Sequence, residues 1–90
     1  MFRLWAKKWK ANHLLQDMTV ENADPDLNRT RKIYQALDEV CYAWDLEKPI
    51  WLEHNIRDFK RRSRTRFSKD SFIEQIDFDY LEIEVIEEDI

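Results

Sequence analysis

The 90-residue sequence contains no glycine, a single cysteine and two prolines. An average glycine content near 7% would give about six in a chain of this length. Backbone positions needing positive φ therefore fall to Asn or Asp, which makes Asn12, Asn22 and Asn55 the turn candidates. Without glycine no P-loop, dinucleotide-binding fingerprint or nucleophile elbow can be built. Cys41 cannot form an internal disulfide, and His13 and His54 have no Cys or His at ligand spacing, so zinc is not expected. No apolar run of seven residues follows the cationic first ten, so neither a signal peptide nor a membrane span is expected, and the predicted location is a reducing cytoplasm.

What is present is apolar bulk and charge. Four Trp, five Phe and three Tyr accompany 43% hydrophobic residues, a composition that folds, even with 38% charged residues. Net charge is −4, but its distribution carries more information than the sum. Residues 1–10 hold four Lys or Arg and no acid, and residues 57–69 hold seven against one Asp. From Glu74 to the end there are eight carboxylates and no cation. The last stretch therefore needs cationic neighbours from elsewhere in the chain.

Period-two alternation from Tyr80 predicts a half-buried final strand, with Leu81, Ile83 and Val85 on the core side. Phe2 to Ala11 reads as a strand better than as a cationic amphipathic helix. Asn12 offers a turn into a second alternating run through Leu14, Met18 and Val20, completing a hairpin. Asp24-Pro25 signals a helix start, and Ile33, Leu37, Val40, Cys41 and Trp44 recur at helical spacing opposite Arg31, Lys32, Gln35, Asp38 and Glu39. The helix is predicted over 26–45. Pro49 ends any helix before it, and Leu52, Ile56 and Phe59 predict a second helix over 53–63. Residues 64–70 read as a polar connection, and Ser71-x-x-Glu74 as a capping box allowing one helical turn. The predicted fold is one α+β domain spanning 1–90, order ββααβ: a three-stranded antiparallel sheet, the N-terminal hairpin plus the C-terminal strand, with two helices on one face. The core set is Leu37, Trp44, Phe59, Leu81 and Ile83. With the last strand beside the first, Arg3, Lys7 or Lys10 would meet Glu82, Glu84 or Glu87.

The run Lys48-Pro49-Ile50-Trp51-Leu52, the pair Asn55-Ile56, the step Thr65-Arg66-Phe67 and the stretches Asp70-Ser71-Phe72-Ile73-Glu74 and Asp77 through Ile83 resemble a family of short bacterial proteins of anaerobic Gram-positive type. Phe2-Arg3-Leu4-Trp5 and Asn12-His13 extend the likeness over nearly the whole chain. The resemblance implies a bacterial, stand-alone domain and brings no activity with it.

Four groups of residues are functional candidates. Trp5, Trp9, Tyr80 and Ile86 would line the uncovered side of the sheet, rimmed by Lys7, Glu82 and Glu84, which is the anatomy of a protein interface. The plain alternative is that lysine stems lie over the rings. The basic run Arg57 to Lys69, containing Lys60, Arg61, Arg62, Arg64 and Arg66 with Phe59 and Phe67 interleaved, could hold phosphates and stack on bases, or could simply pair with the acidic last strand. Asp77 and Asp79 could share a divalent cation but lack further ligands, and Cys41 reads as an inert core thiol. The leading expectation is a non-enzymatic protein-interaction module that associates with itself or another protein through the aromatic face. The alternative is a small nucleic-acid-binding protein using residues 57–69. Neither reading involves a membrane, a metal or a cofactor, and no nucleophile, base and orienting group converge in the sequence.

Overall fold

A computed structural model describes residues 1–88; Asp89, the last residue of the acidic run, lies outside them. Strand β1 (Phe2–Lys10) and strand β2 (His13–Asn22) form the expected hairpin. Its two-residue turn places Ala11 and Asn12 at φ 50° and 65°, the pairing that matches the twist of flanking strands. Asn12 is therefore a turn residue, as its type predicts, while alanine takes the left-handed first position that Asn, Asp or Gly would ordinarily fill. The Ala11 amide is held at 2.7 Å by the Asp79 carboxylate.

Helix α1 (Arg29–Ala43) begins three residues later than the sequence suggests. Asp24 accepts from the Asp26 amide at 2.9 Å, so the Asp-Pro pair forms a side-chain-closed turn, and Asn28 caps the helix by accepting from the Arg31 amide at 2.9 Å. At the far end Asp45 takes φ 53°. The Leu46 amide bonds Cys41 O at 2.8 Å and the Asp45 amide bonds Tyr42 O at 3.3 Å, a Schellman ending closed by aspartate in place of glycine. The helix buries Ile33, Ala36, Leu37, Val40 and Cys41 as the spacing requires, and Lys32, expected on the solvent side, is buried as well. Trp44 packs half-buried against the core.

Helix α2 (Glu53–Arg62) follows Pro49 and inserts Phe59 into the core. Ile56, expected beneath it, is exposed, and Asn55 is fully buried in its place. Asn55 is thus not a turn residue but a connector. Its amide nitrogen donates to Thr65 Oγ1 and to Arg66 O, both at 2.9 Å, and its oxygen accepts from the Leu52 amide at 3.0 Å and from Ser71 Oγ at 3.5 Å.

The predicted three-stranded sheet is corrected to four. Arg64–Phe67, read as a polar connection, is strand β3, and the order becomes ββααββ. The alternation is present in those four residues, since Thr65 and Phe67 are buried and Arg64 and Arg66 exposed, but two arginines in four residues disguise it. Residues 71–74 form no helical turn. A short 3-10 turn at Lys69–Ser71 ends at the first of them, and Ser71 is buried with its carbonyl accepting from the Ile50 amide at 2.7 Å. Strand β4 (Tyr80–Glu87) completes an antiparallel sheet in the order β2-β1-β4-β3.

One side of the sheet contributes Phe2, Leu4, Ala6, Val20, Phe67, Leu81 and Ile83 to a core that Ile33, Leu37, Val40 and Phe59 close from the helices. Trp51 meets the rings of Tyr34, Phe59 and Phe67 edge-on, with centroids 5.0–5.8 Å apart. The other side of the sheet carries no helix among the described residues, and Trp5, Trp9 and Tyr80 of the candidate interface lie on it. No helix among the described residues is long and apolar enough to cross a membrane.

Candidate functional site

Antiparallel partners share a face, so the register determines what the open side displays. Arg3 stands between Glu21 and Glu87, and Trp5 between Thr19 and Glu84, with Arg64 beyond Glu84. Lys7 stands between Asp17 and Glu82, with Arg66 beyond Glu82, and Trp9 lies between Leu14 and Tyr80. Read strand by strand, the charges alternate: acidic on β2, basic on β1, acidic on β4 and basic on β3.

Lys7, Glu82 and Glu84 were expected to rim an aromatic centre. Lys7 and Glu82 instead occupy the centre, only 8% and 5% exposed. Lys7 Nζ lies 3.3 Å from both Glu82 Oε1 and Glu84 Oε1, and Arg66 Nε lies 3.4 Å from Glu82 Oε2. The indole N–H of Trp9 donates to Glu82 at 3.0 Å and that of Trp5 to Asp17 at 2.9 Å. Cations also sit on the rings: Lys7 Nζ is 3.9 Å from the Trp5 ring centroid, and the Arg66 guanidinium carbon 4.4 Å from that of Tyr80. Trp5, Trp9 and Tyr80 are left half-buried, while Ile86, at a register shift beside Arg3 and Leu4, is 48% exposed. The reason is reach. A lysine or arginine stem spans the distance to a neighbouring strand and covers an aromatic ring while its head finds a carboxylate.

Burial alone would raise the Glu82 pKa. The Trp9 indole, the charge and hydrogen bond of Lys7 and the charge of Arg66 outweigh it and hold the carboxyl below its ordinary 4.5. A carboxylate depressed in the folded state contributes stability that is complete above its unfolded pKa and disappears as pH falls through its folded one. Wild type and Glu82→Gln are accordingly expected to differ in unfolding free energy by a constant amount from pH 7 down to about 5, with the gap closing below about pH 4. Urea titrations at stepped pH check this, and a gap that stays constant down to pH 2 would exclude Glu82 as the acid-sensitive group.

Among the described residues, side chains of the basic run meet the acidic strand only at one end. Arg66 bonds Glu82, and Arg64 faces Glu84 across the ladder without an ion pair. Lys60, Arg61 and Arg62 are exposed along α2. Phe59 and Phe67, which the sequence interleaves with them, are 5% and 0% exposed and cannot stack on a ligand. The aromatic neighbour of the run is instead Tyr80 under Arg66, with the Trp9 ring 6.4 Å beyond. The sequence hid this because the contact depends on the β3–β4 register.

The remaining candidates are separated by the fold. Asp79 is engaged with the Ala11 amide, whereas Asp77 lines a cleft of about 530 Å³ that also contains Trp44, Phe72 and Phe78. Lys8 Nζ lies 5.4 Å and 5.2 Å from the Trp44 and Phe78 ring centroids in that cleft. No three His, Cys, Asp or Glu side chains among the described residues are placed to hold a metal. Cys41 is buried in α1; burial first, then the Asp38 charge, partly offset by Lys48, push its thiol up from 9.0 to about 11. His13 opens β2 and His54 lies exposed on α2, so the three residues sit on three separate elements. No family model, curated protein or solved structure matches the chain.

Proposed function

We propose that the protein is a non-enzymatic interaction module that self-associates through the open face of its sheet. The observation that carries this reading is the alternation of charge across the four strands. Two copies can pack face to face about a two-fold axis that lies between the sheets, either along the strands or across them. An axis along the strands sets β2 of one copy on β3 of the other and β1 on β4, so every column meets its opposite sign. An axis across the strands sets each column on itself, acid on acid and base on base. Charge pattern thus selects a single isologous arrangement.

Trp5, Trp9 and Tyr80 supply the apolar contact, and the ion pairs fix its orientation more than its strength. Four strands about 4.8 Å apart and about eight residues long at about 3.4 Å present roughly 500 Å² per copy. A total near 1,000 Å² is the lower limit for a specific interface, so the dimer is weak and concentration-dependent. Trp5→Ala removes a half-buried ring without touching Glu82. It is expected to raise the dimer dissociation constant at least about tenfold and to shift the unfolding midpoint little. Sedimentation velocity over a concentration series, beside a thermal melt, reads both quantities; a variant that dimerises as well as wild type would remove Trp5 from the interface.

A further inference from the structure

The acidic strand finds its cations without drawing on most of the basic run. Glu82 and Glu84 meet Lys7, and Glu82 also meets Arg66. Glu87 meets Arg3 at 3.6 Å and the N-terminal ammonium at 3.5 Å, and Glu88 pairs with Arg29. Arg57, Lys60, Arg61, Arg62 and Arg64 are left exposed, with no side-chain hydrogen bond or ion pair among the described residues. In a chain of net charge −4, five unpaired cations gathered on one corner are not needed for internal neutralisation.

Their placement is ordered. Arg57, Lys60 and Arg61 stand at i, i+3 and i+4 on one face of α2. His54, Asp58 and Arg62 form the adjoining face, and with Arg64, Thr65 and Arg66 they line a concavity of about 350 Å³ where α2 turns into β3. The turn is tight because Ser63 takes φ 58°, its amide bonding Phe59 O at 2.9 Å and its carbonyl accepting from the Val85 amide at 2.9 Å. Three guanidinium groups thereby converge on one hollow containing a single carboxylate. Beyond Arg66, on the open sheet face, lie Tyr80 and then Trp9. A cationic groove leading onto aromatic rings is the arrangement that holds a phosphate backbone and stacks unpaired bases.

We propose that the corner formed by α2 and β3 binds the phosphodiester backbone of a single-stranded nucleic acid, with bases resting on Arg66, Tyr80 and Trp9. Arg57, Lys60, Arg61, Arg62 and Arg64 neutralise phosphates. The site goes beyond the self-association surface, because its helical half lies away from the sheet face.

The test is fluorescence anisotropy of a labelled 12-nucleotide single strand titrated with the full chain at 50 and 200 mM salt. Five neutralised phosphates on a single strand give a salt slope near −3.5, or about a hundredfold weaker binding over that fourfold change. Arg57→Glu/Arg61→Glu/Arg62→Glu is expected to abolish binding at 50 mM salt while leaving circular dichroism, melting temperature and dimerisation unchanged. Tyr80→Ala is expected to weaken binding about tenfold with the salt slope retained. Absence of binding at 50 mM salt with protein at about 100 µM would overturn the proposal. So would undiminished binding by the triple variant, or equally strong competition by duplex of the same sequence or by polyglutamate.

Discussion

Leu81→Ala is expected to lower the free energy of unfolding by about 4 kcal/mol, close to half of what a 90-residue domain possesses. Leu81 is 0% exposed and sits mid-sheet, paired with Lys8 on β1 and Phe67 on β3. Its partners are fixed by backbone ladders on both sides, so the surrounding sheet cannot collapse into the vacated volume, and a cavity cost adds to the lost transfer free energy. Ile73→Ala is the natural control, because Ile73 is 83% exposed and its truncation is expected to change stability by less than about 0.5 kcal/mol. Urea denaturation of the two variants separates them. A loss below about 1 kcal/mol for Leu81→Ala would mean that the centre of the sheet is not where the core is tightest.

Asn55→Ala is expected to cost about 3 kcal/mol without creating a large void. The side chain is completely buried and links three elements: the start of α2, strand β3 and the 3-10 turn that follows it. Removing it strands the Leu52 amide, the Arg66 carbonyl and the Thr65 hydroxyl, and a buried polar group deprived of its partner costs about 1–3 kcal/mol. The effect is electrostatic, so it should depend on the partner. In a double-mutant cycle Thr65→Val is expected to cost about 1 kcal/mol less in the Asn55→Ala background than in wild type. Strict additivity would show that the Asn55–Thr65 contact contributes nothing. Asn55 bears on the proposed nucleic-acid site as well, since it holds β3 against α2 and so sets the spacing of Arg62, Arg64 and Arg66.

Local patterns in the sequence were reliable for the long elements and failed for the short ones, where the Ser71-x-x-Glu74 spacing forms no helical turn. The hairpin follows from alternation on either side of Asn12, α1 from five apolar residues at helical spacing, and β4 from its alternating carboxylates. The neutralisation of β4 by Arg3 and Lys7 followed from charge bookkeeping between distant segments and was correct in kind. Strand β3 escaped because its outward positions are both arginine, so a four-residue alternation resembled a polar loop. Apolarity points to Ile56 as the buried residue of α2, whereas Asn55 is buried instead because four hydrogen bonds satisfy its amide. The candidate face was assigned to the right side of the sheet with its centre and edge reversed. Lys7 and Glu82 are central because strand order places β4 between β1 and β3, and that order cannot be read without knowing that β3 exists.

The same correction unites two surfaces that seemed unrelated. Once Arg64 and Arg66 belong to a strand beside β4, the end of the basic run becomes a column of the sheet face, and the face gains the fourth alternating charge on which the proposed self-association rests. Arg66 and Tyr80 belong to both proposed surfaces. A single strand bound at the α2–β3 corner and a second copy on the sheet would therefore compete for them, and nucleic acid should drive dimers toward monomers.

The most direct measurement is sedimentation velocity on two charge-altered variants, alone and mixed. Thr19→Lys sets a second cation opposite Arg64 of its twin and should dimerise much more weakly than wild type. Arg64→Glu makes β3 acidic at the position opposite residue 19. Mixing the two at equal concentration is expected to produce a dimer containing one copy of each, tighter than either variant forms alone, with both variants folded by circular dichroism. A wild-type chain that remains monomeric at millimolar concentration, or a Thr19→Lys variant that dimerises as wild type does, would contradict the sheet face as the site of self-association.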